Sequence, residues 1–129
     1  MASRKSEHLH PDIIQKYNSF LQGCVEQGID VLTTCTYRSG EEQTILYAKG
    51  RTEPGRIVTK AKAGESKHNY TINGKPASKA FDVVPIIDGK PMWWDGHPAW
   101  QTLGEIGERC GLSWAGRWKF KEYPHFEIS

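Results

Sequence analysis

The stretch Ala80-Phe81-Asp82-Val83-Val84-Pro85 completes a longer segment, beginning at His68, that decides the fold of this chain. We expect the whole segment to be extended chain. It is broken at Asn73-Gly74, which is a strong signal for a two-residue turn between antiparallel strands. Two strands would therefore bring His68 and Asp82 toward each other. Asp88-Gly89-Lys90 predicts another turn directly after this segment.

Three helices are predicted around the extended segment. The first runs from Pro11 to Gln27, where apolar residues recur every three or four positions. The second begins after Ser39, a good N-cap, with Glu42 at the capping-box position, and ends at Gly50. The third spans Pro98 to Cys110, with its apolar residues on one face.

Further strands are predicted at residues 29–37 and 123–128, and a long surface loop at residues 51–65. Helices and antiparallel strands are mixed along the chain without repeated βαβ units, which indicates an α+β fold. We therefore predict a small antiparallel sheet flanked by about three helices. A chain of 129 residues is long enough for one ordinary core, so we predict one domain.

Composition excludes several classes of protein. Hydrophobic residues make up 37% and charged residues 25% of the chain, which is typical of a globular protein. The net charge of +2 is too mild for a nucleic-acid-binding protein. Neither a signal peptide nor a stretch of about 18 apolar residues is present, so we expect synthesis in a cytoplasm and no membrane insertion.

Two short segments contain the residues that predict chemistry. Ser66-Lys67-His68 runs on to Asp82, and Glu122-Tyr123-Pro124-His125 lies near the C-terminus. A catalytic zinc site uses three protein ligands and leaves a fourth position for water, which the metal acidifies. His68, Asp82 and His125 would be these ligands.

Glu122 lies three residues before His125, where a carboxylate can take a proton from water and pass it to a leaving amine. The alternative is a surface glutamate paired with Lys119 or Lys121.

The remaining histidines and the cysteines have simpler interpretations. His8 and His10 lie in a polar segment, and His97 precedes Pro98, where it would help to begin a helix. The three cysteines each fall in an apolar pattern and show no CxxC spacing, so we expect reduced core residues and no thiolate zinc site: Cys24, Cys35 and Cys110.

Many short matches to one superfamily occur in the same order along the chain. On the basis of these matches, the chain resembles the zinc peptidases of the lysostaphin, D-Ala-D-Ala metallopeptidase and hedgehog superfamily. It is most similar to the single-domain L-alanyl-D-glutamate endopeptidases that bacteriophages use as endolysins. The resemblance covers residues 9–128 and rests on Tyr37-Arg38-Ser39, Glu42-Gln43, Leu46-Tyr47, Gly50-Arg51-Thr52, Pro54-Gly55, Val58-Thr59, Ala61, Ser66, His68-Asn69-Tyr70, Ala80-Phe81-Asp82-Val83-Val84-Pro85, Gly111-Leu112, Trp114-Ala115-Gly116 and Tyr123-Pro124-His125-Phe126.

The resemblance implies that His68, Asp82 and His125 bind Zn²⁺ and that Glu122 is the catalytic acid/base. The family usually places its aspartate seven residues after the histidine, whereas Asp82 is fourteen after His68. Residues 71–78 contain their own turn signal, so we expect an added hairpin that leaves both ligands in place. Many phage relatives have aspartate at the position of Glu122, and the dipeptidase branch has glutamate.

Arg38 stands where the family has an arginine thought to bind and polarise the substrate carbonyl. A guanidinium keeps its charge and can stabilise an oxyanion. The alternative is a structural ion pair with Glu41 or Glu42. Ser66 is expected to support His68 through a hydrogen bond, because a ligating histidine needs its other ring nitrogen held.

The activity implied is that of a zinc-dependent peptidoglycan endopeptidase that hydrolyses the stem peptide between L-alanine and D-glutamate. We expect a monomeric endolysin with one catalytic domain over residues 1–129, a polar leader at residues 1–8 and no separate wall-binding domain. It would reach the cell wall from the host cytoplasm after a holin opens the membrane. The alternatives are a D-alanyl-D-alanine carboxypeptidase of the same fold and a non-catalytic, zinc-containing wall-binding module. Four tryptophans belong either to the core or cleft wall or to a glycan groove: Trp93, Trp94, Trp114 and Trp118.

Overall fold

The computed structural model describes residues 2–129 and confirms an α+β domain of three helices and an antiparallel sheet. None of the helices in these residues is long and apolar enough to span a membrane. The helices are α1 (Pro11–Glu26), α2 (Gly40–Ala48) and α3 (Ala99–Arg109). The strands are β1 (Asp30–Cys35), β2 (Thr71–Ile72), β3 (Lys75–Pro76), β4 (Ala80–Ile87), β5 (Lys90–Pro91), β6 (Ser113–Trp114) and β7 (His125–Glu127).

Strand β4 organises the sheet. The strand order is β1-β4-β7-β6, and β5 pairs with the far end of β4 through the turn at Asp88-Gly89. Antiparallel pairing sets Asp82 opposite His125 on β7 and opposite Cys35 on β1. The register of β1 shifts between Thr33 and Cys35, so a bulge turns Cys35 toward Asp82.

The core lies on one face of this sheet. Phe81 on β4 is directly opposite Phe126 on β7, and their rings stack with centroids 5.5 Å apart. Phe20 from α1 closes the cluster at 4.9 Å from Phe126. All three phenylalanines are fully buried, and side chains alternate along a strand. The neighbours of Phe81 and Phe126, Asp82 and His125, therefore point to the other face.

The helix ends follow the predicted signals. Ser39 and Glu42 form both hydrogen bonds of a capping box at the start of α2. Gly28, after α1, has a φ of 70°, a conformation that glycine adopts without cost.

The buried face of α3 includes Gly107, where a Cβ would lie 2.4 Å from the ring of Phe126. This glycine therefore allows the helix to approach the sheet closely.

The predicted hairpin insertion is present as β2 and β3. Asn73 and Gly74 have φ angles of 52° and 76°, as a two-residue turn requires. The backbone N–H of Lys79 donates to the carbonyl of Lys67 at 3.0 Å and closes the base of the insertion. The prediction that His68 lies in a strand is wrong. It lies in a 3₁₀ turn, Lys67–Asn69, because the Ser66 side chain accepts a hydrogen bond from the His68 backbone and caps the turn.

Candidate metal centre

The site is built on a row of residues that face each other across three strands. Cys35, Asp82 and His125 occupy matching positions on β1, β4 and β7. Side chains that are directly opposite in an antiparallel pair have Cβ atoms about 5 Å apart. The topology therefore brings Asp82 and His125 together, although they are 43 residues apart in sequence.

His68 enters this row from the 3₁₀ turn that follows the long loop. Its backbone carbonyl accepts a hydrogen bond from the N–H of Arg38 at 3.0 Å. Its ring Nδ1 lies 2.8 Å from the carbonyl of Thr36. A carbonyl can only accept, so Nδ1 carries the proton and Nε2 presents a lone pair. Thr36, not Ser66, thus orients the ring, and sequence gave no signal for this contact.

Three ligand atoms converge on one point. His68 Nε2 is 3.1 Å from Asp82 Oδ1 and 3.2 Å from His125 Nδ1, and His125 Nδ1 is 3.1 Å from Asp82 Oδ1. A tetrahedral zinc site with bonds of about 2.0–2.1 Å has ligand atoms separated by about 3.3 Å. The triangle therefore fits a small divalent cation with little rearrangement. We call these three residues the metal triad.

The charges of the metal triad also favour a cation. Burial tends to raise the pKa of Asp82, but the hydrogen bond and the charge of protonated His125 hold it well below its usual value. Burial lowers the pKa of His68. Burial also opposes protonation of His125, but its hydrogen bonds to Asp82 and Glu127 and the charges of Asp82 and Glu122 raise its pKa to about 9. Without metal, one proton on His125 occupies the position where a cation would bind.

Glu127 is a member of the site that the sequence prediction missed. Its Oε1 lies 2.8 Å from His125 Nε2, so this ring nitrogen donates to the carboxylate and Nδ1 is left to face Asp82. The spacing of Glu127, two residues after His125 in a predicted strand, could have predicted this contact, because residues two apart in a strand share a face. A metal-ligating histidine usually donates its other N–H to such a partner.

Arg38 is held inside the site. Its Nη1 donates to Gln43 Oε1 at 2.9 Å, and its Nη2 lies 3.5 Å from both Cys35 Sγ and Asp82 Oδ2. Gln43 is fully buried and donates in turn to the carbonyl of Ala61 at 2.7 Å. The carboxylate that pairs with Arg38 is thus that of Asp82, one of the metal triad.

Cys35 offers a second grouping of possible metal ligands. With His68 and Asp82 it provides three atoms within 4.8 Å of one another. However, Sγ lies 3.6 Å from His68 Nδ1, which already donates to Thr36. Burial, and then the charge of Asp82, raise the pKa of the thiol to about 12, so it stays protonated. The metal triad is therefore the better donor set. All three cysteines are free, as predicted.

Glu122 faces the same cleft. Its backbone N–H donates to Ala115 at 3.1 Å, and its carbonyl accepts from the N–H of His125 at 3.1 Å. Burial raises the pKa of its carboxyl group, the charge of His125 lowers it, and that of Asp82 raises it again. Within residues 2–129 it makes no ion pair, and Lys121 instead reaches the carbonyl of Gly116.

The cleft has a volume of about 990 Å³ and is open to solvent. The loop between α2 and β2 forms one part of its wall, and the loop between β5 and α3 forms another. The metal triad, Arg38 and Glu122 all line it. The structure therefore brings together every predicted catalytic and metal residue, while their roles stay predictions.

The remaining histidines lie elsewhere. His8 Nδ1 is 2.7 Å from Ser3 Oγ. His10 and His97 each accept a backbone N–H two residues later, at the start of α1 and α3 respectively. All three are half-buried and hydrogen-bonded, and His97 helps to begin α3, as predicted.

Known proteins resemble this chain in sequence and in fold. Residues 59–128 match the D-alanyl-D-alanine carboxypeptidase family. The chain is 39% identical to the peptidoglycan L-alanyl-D-glutamate endopeptidase CwlK of Bacillus subtilis (strain 168), over 93% of this chain and 73% of that protein. The crystal structure of the L-Ala D-Glu endopeptidase ChiX of Serratia marcescens superposes with a TM-score of 0.63. That match has 19% identity and covers all of this chain and 89% of the other.

Proposed function

Because the chain belongs to the D-alanyl-D-alanine carboxypeptidase family of peptidases, we propose that it is a zinc-dependent peptidoglycan endopeptidase. The observation that carries this proposal is the 3.1–3.2 Å triangle of His68 Nε2, Asp82 Oδ1 and His125 Nδ1 in the cleft that also holds Glu122. The bond we propose is L-alanyl-D-glutamate, which the name of the 39% identical relative supports.

Zinc is the metal that best suits the donor set. Two imidazole nitrogens and one carboxylate oxygen are typical of catalytic zinc sites, which keep an open fourth position. The site also has the outer contacts such ligands need, because Thr36 and Glu127 accept the distal N–H of His68 and His125. A zinc ion bound here would supply a Lewis acid and lower the pKa of a water molecule.

Glu122 and Arg38 perform the remaining chemistry. The raised pKa of Glu122 suits a carboxylate that takes a proton from the attacking water and returns it to the amine of D-glutamate. Arg38 stays charged, and its Nη2 lies beside the metal triad, 3.5 Å from Asp82. It can stabilise the negative charge that develops on the scissile carbonyl oxygen. Gln43 fixes its guanidinium at 2.9 Å.

The biological role we propose is that of a bacteriophage endolysin, active as a monomer. The resemblance of the chain to the single-domain endopeptidases that bacteriophages use as endolysins suggests this role. The enzyme would be made in the host cytoplasm and would reach the wall after a holin opens the membrane. Lysis of host cells on co-expression with a holin, and its absence without one, would test this role.

The central experiment is digestion of purified Gram-negative peptidoglycan, followed by mass spectrometry of the products. We expect glycan strands that end in L-alanine and peptides that begin with D-glutamate. Chelation of the metal and the substitution Asp82→Asn should each abolish these products. Asp88→Asn is the matched control, because Asp88 is exposed in the turn after β4 and its positive φ suits asparagine.

The other outcomes separate the alternatives. Release of free D-alanine would show a D-alanyl-D-alanine carboxypeptidase, which is the activity in the description of the matching family. Binding to peptidoglycan without any cleavage, at every zinc concentration, would show a wall-binding module. Full activity of the Asp82→Asn variant would contradict the proposed site.

A further inference from the structure

Two exposed tryptophans follow strand β5, on the loop that forms one wall of the cleft. Trp93 lines the cleft and is 56% exposed, whereas Trp94 is 68% exposed and lies outside the lining. Ligand sites are concave and rich in aromatic side chains. An indole that stays open to water inside the cleft of the metal triad is thus available to a ligand.

The structure holds this loop in place at both ends. The N–H of Met92 donates to the carbonyl of Pro85 at 2.9 Å. The buried indole of Trp100 donates to the carbonyl of Trp94 at 2.9 Å, and the rings of Trp93 and Trp100 lie 6.5 Å apart. Because its support is rigid, the Trp93 ring loses little freedom when a ligand stacks on it.

Asp95 adds a hydrogen-bond acceptor beside this ring. It is exposed, lines the cleft and makes no ion pair within residues 2–129. A ring stacks on the C–H groups of a sugar, and a carboxylate accepts hydrogen bonds from its hydroxyl or amide groups. The same carboxylate repels anions. The residues between α2 and β2 line the cleft with the cations Arg56 and Lys67 and the anion Glu65, so that side carries a net positive charge.

This division of charge matches the substrate of the proposed function, on which the inference rests. In peptidoglycan the carboxyl group of the muramyl sugar is joined to L-alanine by an amide, so that sugar is uncharged. D-glutamate, on the other side of the scissile bond, has a free carboxylate. One residue spans about 3.8 Å, so the sugar must bind close to the cleaved bond. We infer that Trp93 and Asp95 form the subsite for the N-acetylmuramyl sugar.

Kinetics with two substrates test this subsite. One is the disaccharide tripeptide GlcNAc-MurNAc-L-Ala-D-Glu-diaminopimelate, and the other has an N-acetyl group in place of the disaccharide. We expect Trp93→Ala to raise KM about tenfold for the first substrate, with kcat unchanged and no effect on the second. Trp93→Phe should restore most of the affinity. Trp94→Ala is the matched control and should leave both substrates unaffected.

Three results would overturn the inference. The first is an equal KM for the two substrates in the wild-type protein. The second is an equal effect of Trp93→Ala on both, which would indicate a structural role of the loop. The third is a Trp94→Ala variant that behaves like Trp93→Ala. Product masses from the wild type identify the cleaved bond separately. Cleavage at another bond would therefore show that the proposed function itself has failed, and the subsite with it.

Discussion

The two faces of the β4–β7 pair differ in what holds them together. On one face, Phe81 and Phe126 pack with Phe20 and need no ligand. On the other face, one residue along each strand, the half-buried Asp82 and the buried His125 hold opposite charges. The two-residue period of a strand thus puts stability and chemistry on adjacent residues. Mutations should be able to change one face and spare the other.

The largest expected effect is a loss of kcat on substitution of Glu122, in the cleft on the metal face. We expect Glu122→Gln to lower kcat by about 10²–10⁴-fold, because proton transfer is lost while the shape of the side chain is kept. Zinc affinity and the unfolding free energy should stay unchanged, since Glu122 makes no ion pair within residues 2–129. Glu26→Gln, an exposed change on α1, is the control for kcat. A variant that loses zinc would instead show that Glu122 helps to hold the metal.

A substitution on the core face is expected to lower stability and to leave kcat unchanged. Phe20→Ala should lower the unfolding free energy by about 3–5 kcal/mol, because Phe20 is fully buried and its removal leaves a cavity against two rings. Denaturant titration with and without metal measures this loss. At a temperature where the variant is folded, kcat should match that of the wild type. The milder Phe20→Leu keeps this comparison possible, and Ile45→Ala, at an exposed position on α2, should have little effect. A loss of kcat in folded Phe20→Leu would show that the two faces are coupled.

Glu127 lies on the metal face, two residues after His125, and acts on the site through that histidine. We expect Glu127→Gln to weaken zinc binding by about 10–100-fold, as the loss of an orienting carboxylate does in other zinc sites. The pKa of His125 in the metal-free protein should fall below about 9, since Glu127 is one of the groups that raise it. Metal titration and the NMR signals of His125 provide the two measurements. Glu105→Gln on α3 is the control. Unchanged values for both would exclude an orienting role.

The sequence predicted the elements whose signals are local. The capping box of Ser39 and Glu42 and the turns at Asn73-Gly74 and Asp88-Gly89 all appear where they were predicted. Each depends on the conformation of a few adjacent residues, which those residues largely determine. The three proposed metal ligands were also named from the sequence, because their residue types are those that zinc prefers, and the structure brings them together while their role stays a prediction.

Contacts that depend on register were not predicted. The bulge before Cys35 sets this residue opposite Asp82 and leaves the carbonyl of Thr36 beside His68. A one-residue shift in pairing reverses the face of every side chain that follows, and composition does not reveal it. Ser66 hydrogen-bonds to His68 as expected, but at the backbone N–H and not at the ring nitrogen. Its side chain caps the turn, and the ring donates instead to the carbonyl of Thr36, which follows β1 and is 32 residues away in sequence.

The smallest expected effect is the change of zinc affinity with pH, because the metal must displace a proton from His125. In the metal-free protein the pKa of His125 is about 9, above its usual 6.5, so its charge stabilises the fold fully below pH 6.5. That contribution is lost as pH rises through 9. A metal needs the Nδ1 lone pair, so binding should release about one proton between pH 6.5 and 9. Zinc affinity should then rise about tenfold per pH unit in this window.

Calorimetry of zinc binding in buffers of different ionisation enthalpy would count this proton. The metal-free protein should also lose thermal stability from pH 6.5 to 9, while the zinc-bound protein, with His125 neutral, should not. Glu127→Gln sharpens the comparison, because a lower pKa of His125 would move the window to lower pH. Zinc binding without proton release at pH 7.5 would mean that His125 is already neutral. The charge pair of Asp82 and His125 would then not be what distinguishes the metal face from the core face.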